Sequence, residues 1–205
     1  MRFVLPDSRK NCSGWIDHDN RILRLPLSIR DKAYYLEKRF NIVFFGPMDN
    51  IFLRSAPNHK AVNSPDMSFF LLGTTVLCCA IEAVGEFLLG GGDPGDRFKT
   101  FLRAYLPQWS RKTKKRTILP DWMWKHLRNA LAHAGAISRG GMVYLGSRRF
   151  RERMKGRVEV HTEILYQDFK KAFSRYLADV AAQKDRSQVV NFERRFKEIF
   201  IDSQR

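Results

Sequence analysis

Five polar residues between positions 125 and 133 combine groups that can bind an anion and move a proton. They are Lys125, His126, Arg128, Asn129 and His133. An ammonium or a guanidinium binds anions through charge-assisted hydrogen bonds. An imidazole exchanges a proton near neutral pH. Because no carboxylate lies among them, the set suits binding an anion and transferring a proton beside it.

A single helix over residues 120–135 is predicted to position these groups. Pro120 suits a first helical turn, Asp121 adds negative charge at the positive end, and Gly135 is a natural stop. At about 100° per residue, the apolar face holds Met123, Trp124, Leu127, Leu131 and Ala134. The opposite face collects Trp122, Lys125, His126, Asn129 and His133, with Arg128 at the border. The alternative is an ordinary solvated face, but such a face does not need an indole, which suggests that something covers it.

The middle of this helix resembles the Arg-Asn-x-x-x-His signature of HEPN domains, an all-helical group rich in RNA-cleaving members. The matching residues are Arg128, Asn129 and His133, inside a helical segment that Gly135 closes. A second stretch, 69–107, also resembles the family through a long apolar helix with Ala-Ile-Glu-Ala around Glu82, followed by Arg97 and Phe98. The resemblance covers about residues 65–177.

The resemblance implies metal-independent RNA cleavage, in which the ribose 2′-hydroxyl attacks the adjacent phosphate. Arg128 would stabilise charge on the phosphate, and His133 would transfer a proton. Asn129 would orient His133 or add a donor, with Lys125 and His126 in support. Neither a cofactor nor a metal is expected, and the chain offers no obvious carboxylate cluster to hold a metal.

The resemblance also implies a homodimer in which two motif helices line one cleft, with Trp122 at or near that interface. The settings it implies include toxicity and phage defence, with an antitoxin or regulatory partner. In some family toxins that partner modifies a tyrosine two residues after the motif histidine, where this chain has Gly135. Two alternatives stay open: a non-catalytic RNA-binding, nucleotide-binding or assembly module, and a protein that uses its basic faces on a membrane surface.

Glu82 and Glu86 lie one turn apart on a helix that is otherwise apolar nearly all round. Two such carboxylates are either an acid/base pair or charge partners for basic residues, and the second interpretation is favoured because buried charges need partners. If Glu82 faces the helix of Arg128, it would hold that guanidinium in place.

The formal charge of +16 and the pI of about 10.2 indicate a polyanionic partner. Nucleic acid, RNA in particular, is favoured over an anionic membrane surface; solubility alone is the remaining explanation. Two basic segments are candidate phosphate contacts, and the alternative for such charge runs is ordinary solvated surface. The residues singled out are Arg111, Lys112, Lys114, Lys115 and Arg116 in the first segment and Arg148, Arg149 and Arg151 in the second.

A reducing cytoplasm is the expected location. The first ten residues lack the apolar run of a secretory signal, and three cysteines give no disulfide framework. The apolar stretch 67–81 is short and is soon followed by Glu82 and Glu86, so no membrane span is expected.

The expected fold is mainly all-α: a bundle of four or five helices with a small β-hairpin and an irregular N-terminal extension. The extension, 1–64, is expected to pack on a helical unit at 65–185, and 186–205 is expected to be a C-terminal helix. Short strands are expected at 3–5 and 22–25, and a helix at 28–40. The hairpin is expected to pair 142–145 with 158–160 through a basic link, 148–157.

Overall fold

The computed structural model describes residues 14–16, 22–24, 27–53, 66–112, 118–134, 141–143, 149–152 and 158–202. These residues are mainly helical, as predicted. The helices are α1 (Ile29–Phe40), α2 (Gly46–Leu53), α3 (Asp66–Leu89), α4 (Pro94–Tyr105), α5 (Leu119–Met123), α6 (Asn129–Ala134), α7 (Thr162–Ala181) and α8 (Arg186–Phe200). Two π-helical turns, Asn41–Phe45 and Trp124–Arg128, lead directly into α2 and α6, and a 3-10 turn, Pro107–Trp109, follows α4.

Helix α3 lies at the centre of the bundle. Its Leu77, Ile81 and Val84 are fully buried, and the helix packs against α2, α4, α7 and α8. Its end is set by Gly90, whose φ of 73° is a conformation that glycine adopts without strain. Residues 71–89 are long and apolar enough to cross a bilayer by length and composition. In this fold more than half of that stretch is buried, so α3 is a core helix.

The N-terminal segment is more regular than expected where the structure describes it. Helix α1 begins at the capping box of Ser28 and Asp31, whose backbone N–H groups each donate to the other's side chain at 3.1 Å. Residues of α1 and α2 belong to the same core as the rest of the bundle. Asp49 of α2 accepts hydrogen bonds from Tyr166 (2.7 Å) and Lys170 (2.8 Å) of α7. Residues 27–53 therefore pack on the helical core, and the helix predicted at 28–40 is α1.

The core joins the N-terminal helices to the C-terminal ones largely through phenylalanine rings. Phe40 stacks on Phe173 of α7 with ring centroids 4.5 Å apart. The C-terminal helix, α8, buries Phe192, Phe196 and Phe200. Close aromatic contacts of this kind add to the stabilisation from burial itself.

The two strands of the predicted hairpin do pair, but they run parallel, and a third strand lies between them in the sequence. The structure forms a three-stranded sheet in which β5 (Val158–Val160) lies between β3 (Gly141–Val143) and β4 (Phe150–Glu152). Strand β3 is parallel to β5, whereas β4 is antiparallel to it, with Arg151 opposite Glu159. The hairpin is thus β4–β5, and part of the expected basic link is itself a strand. The density of basic residues in 148–157 hid that strand, because it leaves little apolar signal.

Strands β1 (Gly14–Ile16) and β2 (Ile22–Arg24) form a separate antiparallel pair. The strand predicted near residue 22 is thereby confirmed. The strand predicted at 3–5 lies outside the described residues.

Replacement of Gly85 by alanine should destabilise the fold, because a Cβ there would lie 2.2 Å from the backbone carbonyl oxygen of Arg97 on α4. Replacing glycine by alanine in a helix interior normally stabilises the helix by about 1 kcal/mol, but overpacking against backbone costs about 1–3 kcal/mol. We expect urea denaturation to show a net loss of about 2 kcal/mol. Gly73→Ala is the control, since its nearest neighbours are side-chain ends at 3.2 Å. Equal stabilities for the two variants would contradict this packing.

Candidate functional site

One continuous helix carries the candidate residues, although it is not uniform. Helix α5, the π turn Trp124–Arg128 and α6 follow one another without a break, and we call residues 119–134 the motif helix. The junction residues Trp124 (φ −58°, ψ −53°) and Asn129 (φ −67°, ψ −42°) have helical dihedrals. At its start, Asp121 faces Arg103 of α4 at 3.4 Å. The predicted helix is confirmed as far as residue 134.

The predicted apolar face of the motif helix is kept on both sides of the π turn. Met123, Leu127 and Leu131 are buried, as predicted. Trp122 is also buried, at 7% exposure, with its ring centroid 5.5 Å from that of His126. The indole is therefore covered within the chain, in agreement with the expectation that something covers it, although the helical spacing put it on the polar face.

Glu82 on α3 binds Arg128 directly. Nε and Nη2 of Arg128 donate to the same carboxylate oxygen, Oε2, at 2.9 Å and 2.5 Å. The two side chains are only 16% and 17% exposed, so water screens the pair weakly. This contact matches the hypothesis that Glu82 holds the Arg128 guanidinium in place.

Trp124 supports the same guanidinium from another direction. The central carbon of the guanidinium lies 4.6 Å from the indole ring centroid, a cation–π arrangement. Trp124 in turn packs on Phe98 at 5.7 Å between ring centroids. A Cβ at Gly95 would lie 2.9 Å from the indole, so only glycine leaves room for this ring position. Helical spacing places Trp124 on the apolar face but does not predict its contact with Arg128, for which the separation of four residues is the available signal.

Asn129 completes the immediate surroundings of Arg128. Its Oδ1 accepts a hydrogen bond from Arg128 Nη1 at 3.2 Å. The three hydrogen bonds involve Nε, Nη1 and Nη2 once each, and a guanidinium has five N–H groups. Among the residues that the structure describes, two of its N–H donors have no acceptor, and they are carried by a side chain whose orientation is already fixed.

The second carboxylate on α3 also has basic partners. Glu86 Oε1 lies 3.0 Å from Arg97 Nη1 of α4 and 2.6 Å from Arg195 Nη2 of α8. Both glutamates are therefore ion-pair partners, the favoured interpretation of the sequence. Within the described ranges, no three His, Cys, Asp or Glu side chains converge as metal ligands would.

Lys125 and His126 lie on the π turn next to Arg128. Lys125 is exposed and His126 is partly exposed. Burial and the neighbouring Lys125 ammonium both lower the pKa of His126. His126 is therefore mainly neutral near pH 7, the form that accepts a proton.

His133 lies in α6, five residues after Arg128, but its side chain is outside the described part of the structure. Its distance from Arg128 is accordingly not assigned. The backbone alone places it on the motif helix, as the sequence predicted.

The predicted phosphate contacts are only partly described. Arg111 and Lys112 are exposed and lie beside the start of the motif helix, because the Arg111 carbonyl accepts from the Leu119 N–H at 3.1 Å. Arg149 instead binds Asp168 of α7 at 2.8 Å and is about half exposed. The backbone of Arg151 lies on β4, and its side chain is outside the described part of the structure. The remaining predicted contacts lie outside the described residues: Lys114, Lys115, Arg116 and Arg148.

An NMR titration tests the electrostatics around His126. We expect its imidazole to titrate below the ordinary value, and Lys125→Ala to raise its pKa by removing a neighbouring positive charge. The increase should be incomplete, because burial, the larger cause, is unchanged. Lys184→Ala, a change at an exposed lysine on the loop before α8, is the control and should leave His126 unaffected. An unchanged His126 pKa in Lys125→Ala would contradict the assignment.

Comparison of the chain with protein-family models, with curated protein sequences and with solved structures finds no match. The resemblance to HEPN domains therefore rests on the residues of the motif helix and of α3 alone.

Proposed function

We propose that this protein is a metal-independent endoribonuclease of HEPN type. The observation that supports the proposal best is the fixed guanidinium of Arg128, held by Glu82, Trp124 and Asn129, with donors to spare. It lies on the helix that carries the Arg-Asn-x-x-x-His residues, in a chain with a formal charge of +16. A polyanion is the natural ligand of such a protein.

The reaction is an internal transfer at phosphorus. The ribose 2′-oxygen attacks the adjacent phosphorus and loses its proton to a base, while the bond from phosphorus to the 5′-oxygen breaks. The leaving 5′-oxygen takes a proton from an acid. The products are a 2′,3′-cyclic phosphate and a 5′-hydroxyl, so no water molecule or oxidant is consumed in this step.

Arg128 is assigned to the phosphate in this mechanism. Its two remaining N–H groups bind non-bridging oxygens and stabilise the negative charge that grows on them in the transition state. Glu82 acts as a positioning residue: it does not touch RNA but prevents the guanidinium from rotating away. Fixing a donor in advance avoids the free-energy cost of ordering it during the reaction.

His133 is assigned to proton transfer, as base on the 2′-hydroxyl or as acid on the 5′-oxygen. His126 is a second imidazole on the same helix, and its lowered pKa suits it to accept a proton. Lys125 adds positive charge beside it. Asn129 accepts from Arg128 through Oδ1, and its amide nitrogen is assigned to orient His133 or to add a donor.

RNA is held by basic side chains near the start of the motif helix, with exposed Arg111 and Lys112 as its described members. The proposal includes a homodimer with a shared cleft and a cytoplasmic setting. It extends to toxicity or defence, under the control of an antitoxin or other regulatory partner.

A non-catalytic RNA-binding or assembly module is the second candidate. One observation favours it: Arg128 is only 17% exposed and already faces a carboxylate, which weakens its attraction for phosphate. An ion pair that only stabilises the bundle would look the same.

Incubation of the purified protein with mixed RNA in EDTA distinguishes the two candidates. We expect cleavage with cyclic-phosphate ends, and a loss of about 10²–10⁴-fold in His133→Ala, the usual contribution of a proton-transfer group. Arg128→Lys should also lose most of the activity, since an ammonium cannot keep the same directed donors.

Lys184→Ala, away from the motif helix, is the control for purification and should cleave like the wild type. Binding without cleavage by the wild type would support the non-catalytic module. Equal cleavage by wild type and His133→Ala would contradict the proposed site.

A further inference from the structure

An apolar stripe runs along the outward face of α3. It consists of Leu72, Val76, Cys79 and Ala83, all exposed, with Leu72 55% and Val76 38% exposed. The four positions lie within 12 residues, about 16 Å of helix. Val76, Cys79 and Ala83 also form one wall of a groove of ≈ 360 Å³ that separates α3 from α1 and the first π turn.

Apolar side chains continue the surface on the far side of the groove. Val43 is 61% exposed and Ile42 41% exposed, both on the first π turn. Exposed apolar side chains grouped in this way, unlike scattered ones, mark surfaces that are covered by a partner. Contact of the stripe with water is unfavourable, because none of its four side chains is polar.

The charges around the stripe favour a partner that is not a polyanion. None of its four side chains is charged, whereas the whole chain has a formal charge of +16. At one edge, Glu82 and Arg128 neutralise each other. In the groove, Arg39 lies over the ring of Phe200. Two copies of so basic a chain repel each other generally, and an uncharged surface is where they can approach most closely.

The order of large and small side chains makes the stripe complementary to itself. The large residues, Leu72 and Val76, occupy one half, and the smaller residues, Cys79 and Ala83, occupy the other. We propose that two copies of this chain pair through antiparallel α3 helices. Leu72 then packs against the partner's Ala83, and Val76 against the partner's Cys79. Large side chains facing small ones let two helices pack closely.

This pairing has a consequence for the motif helices. The two-fold axis of an antiparallel helix pair is perpendicular to both helices, so each flank of α3 stays on the same side of the dimer. Glu82 marks the flank that faces the motif helix. Both motif helices therefore lie on one side of the dimer and both grooves on the other. A parallel pairing would put the motif helices on opposite sides.

The expected affinity is modest. A stable interface usually buries about 800 Å² per partner, and this stripe with Ile42 and Val43 is a small surface by comparison. We expect dimers to dissociate at about micromolar concentrations. The proposal rests on the homodimer part of the proposed function and deepens it. The dimer and the ribonuclease activity can fail separately, because the dimer is tested by molecular mass in the absence of RNA, whereas the activity is tested by RNA cleavage whatever the molecular mass.

Sedimentation or light scattering at increasing protein concentration tests the dimer, in salt high enough to remove RNA. We expect the wild type to reach the dimer mass and Val76→Glu to remain monomeric, because pairing would bury the new charge. Val190→Glu is the matched control: Val190 is 56% exposed but lies on α8, outside the stripe and the groove. It should dimerise like the wild type, and circular dichroism should show all three folded.

A wild type that is monomeric at about 100 times the expected micromolar dissociation constant would overturn the proposal, as would a dimer that survives Val76→Glu. A monomer that binds neutral lipid vesicles through Val76 would also overturn it, in favour of a membrane surface.

Disulfide cross-linking tests the register. In a background of Cys12→Ser and Cys79→Ser, the double variant Leu72→Cys with Ala83→Cys should form a covalent dimer under mild oxidation. Within one chain the two positions are about 16 Å apart, beyond the reach of a disulfide. Each single variant is the control and should not cross-link, because identical positions are also far apart in this register. Efficient cross-linking of the single variants would overturn the antiparallel register.

Discussion

The charge on the central helix is the constraint on which the rest of this structure depends. Helix α3 is apolar nearly all round, yet it carries Glu82 and Glu86 close to the core. A partly buried carboxylate needs a partner, and three guanidiniums from three different elements supply it: Arg128 from the motif helix, Arg97 from α4 and Arg195 from α8. The ion pairs therefore fix how the surrounding helices lie against α3. Because three guanidiniums face two carboxylates, the positive charges at the surface of α3 outnumber the negative ones.

The same constraint prepares Arg128 for chemistry. Gly95 leaves room for Trp124, Trp124 stacks on the guanidinium, and Glu82 binds it from α3. Each contact restricts the motion of the guanidinium, so less conformational entropy is lost when a phosphate ligand binds. The partial burial that makes the ion pair strong also limits access to it. A site of this kind attracts phosphate less strongly but holds the guanidinium in a defined position. Such a donor stabilises a transition state better than a ground state.

Sequence patterns predicted the helices well, because long apolar repeats and strong caps leave few alternatives. The helix predicted at 28–40 is α1, which begins after the Ser28 cap, and the helix predicted at 120–135 is the motif helix. The contact of Glu82 with Arg128 was also foreseen, from the cost of a buried charge. Trp122 is covered, as its indole suggested, although the helical spacing put it on the polar face. The pairing of β3 with β5 was expected, but its parallel direction and the strand β4 were missed, since three-residue strands carry too little pattern to set their partners.

The most direct test of this account is a double-mutant cycle on RNA cleavage with Glu82→Gln and Arg128→Ala. If Glu82 acts only by holding Arg128, Glu82→Gln should slow cleavage while RNA is still bound. On the Arg128→Ala background the same change should then have little further effect, because there is no guanidinium left to hold. Unchanged cleavage by Glu82→Gln, or losses that simply multiply, would contradict the claim that Glu82 positions Arg128.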